Sequence, residues 1–548
     1  MPGLEGWDWV VIGVYFLALA GIVWWSSRRQ ESSEDYFLAS RNIGWFVIGA
    51  SLFASNIGSE HIVGLAGSGA ETGMAMAHYE LHAWCLLVLG WVFVPFYSRA
   101  SVYTMPEFLE RRFNSASRWI LSLVSLVAYV FTKVSVTVYA GGVVFETLIP
   151  EGTFGNLDNF WVGAAAVVVL TGIYTVLGGL RAVVYTDALQ AVVLIVGSVC
   201  VTAIGLHAIG GWGELRELCG SKHFNMWRPA DDPKFPWAGM LFGAPIVGLW
   251  YWCTDQYIVQ RTLAARNMRQ ARRGTLWGAY LKLTPVFLFI VPGMVAYALK
   301  VSGKLTLEAS DQAFPTLVQE LLPEGLRGLV VGGLLAALMS SLSSLFNSCS
   351  TLFTVDIYEK LRPEASEREL VRVGRIATGA VVVLGIAWIP VMKHVSDVLY
   401  EYLQVVQAYL GPPITAVFFL GVFARRVNGK GAVAGLVSGF LLGMAKLAAQ
   451  ILASAEATSE LLPAWMVAFG EFNFLYFCIV LFAVSVVVVV AVSLLSSPPP
   501  EKKLDGLTYA TTAAAARDET RQSWNRWDVV HTLIVLGVIA AVYLYFTG

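Results

Sequence analysis

The chain has 548 residues, of which 57% are hydrophobic and only 14% charged, against roughly 25% charged in an average soluble domain. A globular protein of this length needs several cores and a polar coat, and there are too few charges to supply one. With 37 Lys and Arg against 38 Asp and Glu, no net charge points to nucleic acid, and the composition is that of an all-α polytopic membrane protein.

A helix needs about 20 apolar residues to cross a bilayer, and fourteen stretches are candidates: 7–26, 43–70, 75–98, 119–149, 159–178, 184–208, 237–260, 274–299, 325–357, 370–391, 396–423, 431–453, 467–496 and 527–547. The first has Glu5 and Asp8 where a signal peptide carries basic residues, and no small-residue cleavage site, so it reads as a retained span. Spans longer than 25 residues are expected to be tilted, bent or interrupted. Cys85, Cys200, Cys253, Cys349 and Cys478 fall in apolar stretches and Cys219 in a loop. No CxxC or Cys/His spacing suggests a metal or disulfide framework, so they read as small buried hydrophobes.

If the N-terminus lies outside, the inner loops hold most of the Lys and Arg. They include Arg28, Arg41, Arg99, Arg111, Arg112, the Arg261–Arg273 group, the Lys360–Arg375 group, Arg425 and Arg426. That bias predicts both termini outside the cell membrane. The longest hydrophilic pieces are 209–236, 300–324 and 497–526, the last beginning Ser-Pro-Pro-Pro and reading as a cytoplasmic linker. No GxxxxGK[ST] phosphate loop occurs, which argues against an ATP-driven pump.

Ionisable and polar groups inside spans mark function. Ala54-Ser-Asn-Ile-Gly-Ser-Glu-His61 should unwind the second span, and Gly243-Ala-Pro245 with Gly248 should interrupt the seventh, five spans later. Paired broken helices point to a midplane site between inverted repeats, although glycine packing between helices gives similar patterns. The ninth span carries Ser340, Ser341, Ser343, Ser344, Ser348 and Thr351, with 340, 344, 348 and 351 on one face. Those hydroxyls suit a hard cation such as sodium, or serve as small-residue glue. Glu80 and Lys282 either form a buried pair or hydrogen-bond a polyhydroxylated solute, with Tyr79, Tyr251 and Trp252 against its apolar face. His61 reads as a ligand or as a satisfied buried histidine. Asp187 opens the sixth span and reads as a functional carboxylate or an N-cap. Asp255, Gln256 and Arg261 look like gate or helix-end contacts.

From about Ser33 to Leu495 the chain resembles the sodium:solute symporters, and among them the sodium/glucose and sodium/inositol cotransporters. The resemblance rests on Gly49-Ala-Ser-Leu-Phe-Ala-Ser-Asn-Ile-Gly-Ser, Tyr103-Thr-Met-Pro-Glu-Phe-Leu and Leu249-Trp-Tyr-Trp-Cys-Thr-Asp-Gln. It rests equally on Leu338-Met-Ser-Ser-Leu-Ser-Ser-Leu-Phe-Asn-Ser and Tyr409-Leu-Gly-Pro-Pro. It implies the leucine-transporter-like fold of two inverted five-helix repeats, here 43–208 and 237–423. Residues 1–42 (the first extra helix), the outer loop 209–236 and the peripheral helices of 424–548 would lie outside those repeats. Position by position, the main sodium site would use the carbonyls of Ala54, Ile57 and Ala337 with the hydroxyls of Ser340 and Ser341. A second sodium site would map to Asp187, Ser343 and Ser344. The sugar site would map to Asn56, His61, Glu80, Tyr251, Trp252, Lys282 and Gln404. Tyr251 would be the inner gate, with Leu65, Tyr79 and Tyr400 the outer lid.

The resemblance implies a sodium-coupled hexose symporter working by alternating access, with sodium as coupling ion. No organic cofactor, nucleic-acid partner, obligate protein partner or enzymatic activity is expected. Two departures favour myo-inositol instead: Gln407 stands where glucose carriers have a small hydroxyl residue, and Glu60 where they have glycine. Ser341 and Ser344 follow the glucose pattern. A non-transporting sugar sensor is the alternative from another class. The absence of cysteine-rich outer loops points to a bacterial member.

Overall fold

The computed structural model describes residues 4–28, 30, 32–148, 158–307, 309–392, 399–454 and 462–548. Among them there is no β-strand, only isolated bridges such as Ile43 with Ala265. Eleven helical runs among the described residues are long and apolar enough to cross a membrane, and together with two shorter apolar helices they hold the described parts of the fourteen expected spans; residues 149 and 396–398 of those spans lie outside the described residues. His61–Ala100 joins the end of the second span to the third. Asn159–Ile209 carries the fifth and sixth spans in 51 residues. A straight helix of that length would run about 76 Å, far beyond a hydrocarbon core of about 30 Å. It breaks at Gly179, where φ 52° and ψ −156° leave the helical region and a Cβ would meet the Tyr36 carbonyl oxygen at 2.5 Å.

The broken spans are the two shorter apolar helices, Trp45–Asn56 and Gly239–Cys253. In the second span the helix stops at Asn56, Ile57 is extended (φ −92°, ψ 99°), and a new helix runs Ser59–Thr72. The carbonyls of the last turn before Ile57 therefore lose intrahelical partners. The seventh span breaks elsewhere than expected. Gly239–Gly243 forms a π-helical turn, and Ala244–Cys253 continues from it as helix, so Pro245 lies inside an unbroken helical run directly after the π-turn that locally changes the hydrogen-bond pattern. The interruption falls at Thr254 and Asp255, before Gln256–Leu263.

Burial separates core spans from peripheral ones. The most apolar window of the ninth span is 94% buried, those of the first and last spans only 28% and 22%. A helix buried all round is the centre of its bundle. Helices also approach closely through glycine: a Cβ on Gly293 would lie 1.9 Å from the Ala66 carbonyl oxygen, so the second and eighth spans touch backbone to backbone. Lys446, in the twelfth span, donates to the Gly470 carbonyl oxygen at 2.6 Å.

Two loops differ from expectation. Residues 209–236 contain a helix, Trp212–Phe224, so Cys219 lies on a helix rather than in a loop, and it is buried as expected. All six cysteines are free. The stretch 497–526 is packed rather than loose, with short turns at Glu501–Lys503 and Tyr509–Thr511 and a helix at Ala514–Gln522. Arg99, Arg269 and Arg426 each donate to residues of this stretch or its approach, Thr520, the Gln522 carbonyl and the Ser496 carbonyl respectively.

Candidate functional site

A cavity lies where the broken second span meets the third, fourth, seventh, eighth, ninth and eleventh. Asn56, His61, Glu80, Tyr251, Trp252, Lys282, Gln404 and Gln407 all line it, as does Tyr79. Lys282 is the hub. Its ammonium donates to Glu80 Oε2 at 2.7 Å and to Asn56 Oδ1 at 2.9 Å, and Asn56 Nδ2 donates to the Tyr251 hydroxyl at 3.1 Å. It also lies 5.6 Å from the centre of the Trp252 ring. A lysine carries three donors, and these two contacts use two of them. Glu80 Oε1 is buried with no hydrogen-bond partner among the described residues. A buried oxygen of that kind demands a donor.

The cavity has a second charged corner. Lys133 donates to Asp255 Oδ2 at 2.7 Å, and the Tyr129 hydroxyl donates to Oδ1 of the same carboxylate. The Lys133 ammonium lies 4.6–5.2 Å from the ring centres of Tyr129, Trp250, Tyr251 and Tyr257. A desolvated cation among ring faces is held by their quadrupoles. Lys133 and Tyr129 belong to a π-helical turn, Tyr129–Val134, and such turns re-aim side chains where regular helical register would turn them away. Tyr257 donates to the Ser55 carbonyl, tying the break of the seventh span to that of the second.

Beside the break lies Asp187. It does not cap a helix: it sits fully buried inside Asn159–Ile209. Ser51 and Ser55 donate to its Oδ2 at 2.6 and 3.1 Å, and Ser340 to its Oδ1 at 2.6 Å. Arg261 Nη2 is 3.7 Å from Oδ2, and that guanidinium also donates to Ser51 and Ser344. Ser341 donates to the Ser55 carbonyl at 3.3 Å, and Ser344 and Ser55 share a hydrogen bond of 2.9 Å. Ser343 donates back to the Ser340 carbonyl at 3.0 Å. Ser340 and Ser341, which give their protons to Asp187 and to the Ser55 carbonyl, keep lone pairs for another positive centre, whereas Ser51 and Ser344 already accept from Arg261.

The structure thus gathers the eight expected solute residues round one cavity. The two expected ion groups form one network rather than two, because Ser340 bonds to Asp187. Leu65 is buried on the second span but does not line the cavity. The side chains of Glu60 and Tyr400 lie outside the described residues. Lys133, Tyr257, His82 and Thr137 also line the cavity without having been assigned there. Lys133 was legible as an ionisable residue in a span, but its partner Asp255 is 122 residues away. Ser51 and Ser55 stand four apart on the broken helix, which was the available signal for a shared face.

Helix breaks at the same place as buried ionisable side chains serve solute and ion binding in proteins that alternate access across a membrane. Fold and site together therefore define a secondary transporter. The profile of the sodium:solute symporter family matches residues 36–439, and the chain belongs to that family. It is 41% identical over 520 residues to sodium/glucose cotransporter 1 of Oryctolagus cuniculus, covering 88% of this chain and 77% of that one. Sodium/myo-inositol cotransporter 2 of Homo sapiens is 40% identical, with 88% and 76% covered. The fold superposes with a TM-score of 0.74 on the substrate-bound outward-open state of a Na+-coupled sialic acid symporter, at 21% identity and over 90% of this chain and 99% of that one. The fold is the leucine-transporter-like one, in a multi-pass membrane protein whose coupling ion is sodium. These relatives are transporters rather than enzymes. The two cotransporters are mammalian and lend no support to a bacterial origin.

Proposed function

We propose that this protein carries a hexose into the cell together with sodium, by alternating access, with both termini outside. The observation that carries the reading is the divided hydrogen-bonding state of the Glu80–Lys282 pair. Glu80 Oε1 lacks a partner among the described residues and Lys282 has spent two donors of three. Neighbouring hydroxyls of a pyranose supply what both need: one donates to Oε1 and the next accepts the third ammonium proton. Asn56, His61, Gln404 and Gln407 offer further polar contacts at the same wall, and Trp252 a flat apolar face.

For sodium we assign the carbonyls of Ala54, Ile57 and Ala337 with the hydroxyls of Ser340 and Ser341. Asp187, Ser343 and Ser344 are the candidate second position. Sodium held there joins the broken second span to the ninth, and so favours the conformation in which the sugar wall is complete. Tyr251, bonded to Asn56, is the inner gate; Tyr79, Leu65 and Tyr400 are assigned to the outer lid. The repeats are assigned to 43–208 and 237–423.

A second reading, myo-inositol as substrate, is favoured by Gln407 in the cavity wall and by the myo-inositol cotransporter among the relatives. Competition against labelled glucose binding to the purified protein in sodium decides between them. Displacement by galactose and not by myo-inositol supports the hexose. Displacement by myo-inositol alone transfers the assignment, and no sodium-dependent sugar binding at all overturns both.

A further inference from the structure

A basic cavity, open to the surface, lies apart from the solute site, at the end of the bundle where the Arg- and Lys-rich loops gather. Arg99, Arg111, Lys502 and Lys503 line it, with Asp505 the one acidic residue of the lining. Two distant parts of the chain build it. Arg99 is in the last turn of the third span, Val94–Ala100, after which Ser101 turns the backbone with φ 48°; Arg111 follows on Met105–Arg112. The lysines come from Glu501–Lys503, and Gly506, at φ 66°, folds the chain back behind them.

Arg111 is satisfied, by two bonds to Glu107 and one to the Ala100 carbonyl, but the other cations are only partly so. Lys503 donates to the Glu110 carbonyl at 2.7 Å. Arg99 donates to Thr520 at 3.1 Å, with Glu519 also near it, yet its Nε is buried with no hydrogen-bond partner among the described residues. Lys502 is exposed. A buried guanidinium N–H without an acceptor is costly, and two lysines beside it supply charge for an anion. The neighbouring wall is apolar. Tyr509, two residues beyond the cavity-lining Leu507, stacks on Phe423 with ring centres 5.1 Å apart and meets Phe96 edge-on at 4.9 Å. Both Tyr509 and Phe423 remain largely exposed, at 42% and 52%. An anionic pocket-filler flanked by exposed aromatic surface at the end of a span has the amphipathic layout of a lipid.

We propose that this cavity binds the phosphate headgroup of an anionic phospholipid, from the leaflet that the positive-inside bias assigns to the cytoplasm. The headgroup oxygens pair with Lys502, Lys503 and the Arg99 guanidinium, so the lipid bridges the third span to the segment preceding the last span. The inference is independent of which solute the protein carries.

The test is native mass spectrometry of the purified full chain, counting retained phosphatidylglycerol against phosphatidylcholine. The wild type should retain phosphatidylglycerol preferentially. Lys502→Gln with Lys503→Gln should weaken that retention roughly thirtyfold, at about one tenfold step per 1.4 kcal/mol and about 1 kcal/mol per cation. Lys502→Arg with Lys503→Arg should preserve it. Lys502→Gln alone, at an exposed position, carries the test should the pair disturb folding. Equal retention of the two lipids overturns the proposal, as does undiminished phosphatidylglycerol retention in the Gln variants. Full displacement by inorganic phosphate would mark a free-phosphate site and overturn it too.

Discussion

Lys282 and Glu80 are buried together in the membrane interior, 2.7 Å apart, and such a pair recovers in Coulomb attraction only part of what desolvation costs. Removing one partner strands the other. Lys282→Ala should therefore destabilise the protein by about 3–5 kcal/mol, read as a lower melting temperature. Glu80→Gln with Lys282→Met should restore most of the stability while leaving sugar binding lost. Sugar binding that survives in the double variant would make the pair structural only. Asp187 is the other residue on which much rests, since three serine hydroxyls and Arg261 converge on it. Asp187→Asn keeps the shape and removes the charge. A charged hydrogen-bonding group is worth about 1.5–3 kcal/mol, so the sodium concentration for half-maximal uptake should rise roughly tenfold or more, with sugar affinity at saturating sodium little changed. An unaltered sodium dependence would remove Asp187 from the ion site. Of these residues, the sequence made Glu80, Lys282 and Asp187 conspicuous because each is ionisable in an apolar stretch. It did not reveal who pairs with whom: Glu80 and Lys282 are 202 positions apart.

Helices bring such residues together, and their contacts are set by small residues and by local breaks. Gly293 meets the Ala66 carbonyl so closely that a methyl group has no space. Gly293→Ala should push the second and eighth spans apart, at about 1–3 kcal/mol, and lower the melting temperature without altering the cavity's polar groups. A melting temperature equal to the wild type would show that these spans yield freely. His223 stacks on Tyr297 with ring centres 4.2 Å apart and faces the Ala70 carbonyl, docking Trp212–Phe224 against the second span. Burial holds its imidazole below the ordinary histidine range. A depressed folded value means the contact is fully stable above the unfolded pKa of about 6.5 and weakens as pH falls below it. Amide exchange in 212–224, corrected for intrinsic rate, should quicken between pH 7.5 and 5.5, and His223→Gln should abolish that dependence. Equal acceleration in the variant would place the titrating group elsewhere. The interruption of the second span was legible because Asn56, Ile57 and Gly58 combine polarity and low helix propensity. The seventh misled because Pro245 is accommodated within an unbroken helical run, directly after the Gly239–Gly243 π-turn. The break at Asp255 has a local cause that fits its reading as a helix-end contact, since its carboxylate accepts from the Tyr257 N–H as the N-cap of Gln256–Leu263; what tertiary packing adds is its partner Lys133. The π-helical turns left no readable mark either, since they preserve the apolar pattern while shifting its register.

At the scale of the whole molecule, the apolar spans and the basic loops were readable directly, because membrane thickness and charge asymmetry act on composition itself. The packed 497–526 segment was not, because its ties run to loops far away in the chain. Symport couples two gradients: an ion descending its own drives a neutral solute up the other. Each sodium crossing 100 mV supplies about 2.3 kcal/mol, before the concentration term, and a second ion doubles the electrical part. The most direct test is uptake of labelled glucose into proteoliposomes under an inward sodium gradient, set against an equal potassium gradient. Accumulation above equilibrium that requires sodium, and that collapses when the gradient is dissipated, is the predicted result. Equal uptake in sodium and in potassium, levelling off at equilibrium, would contradict it.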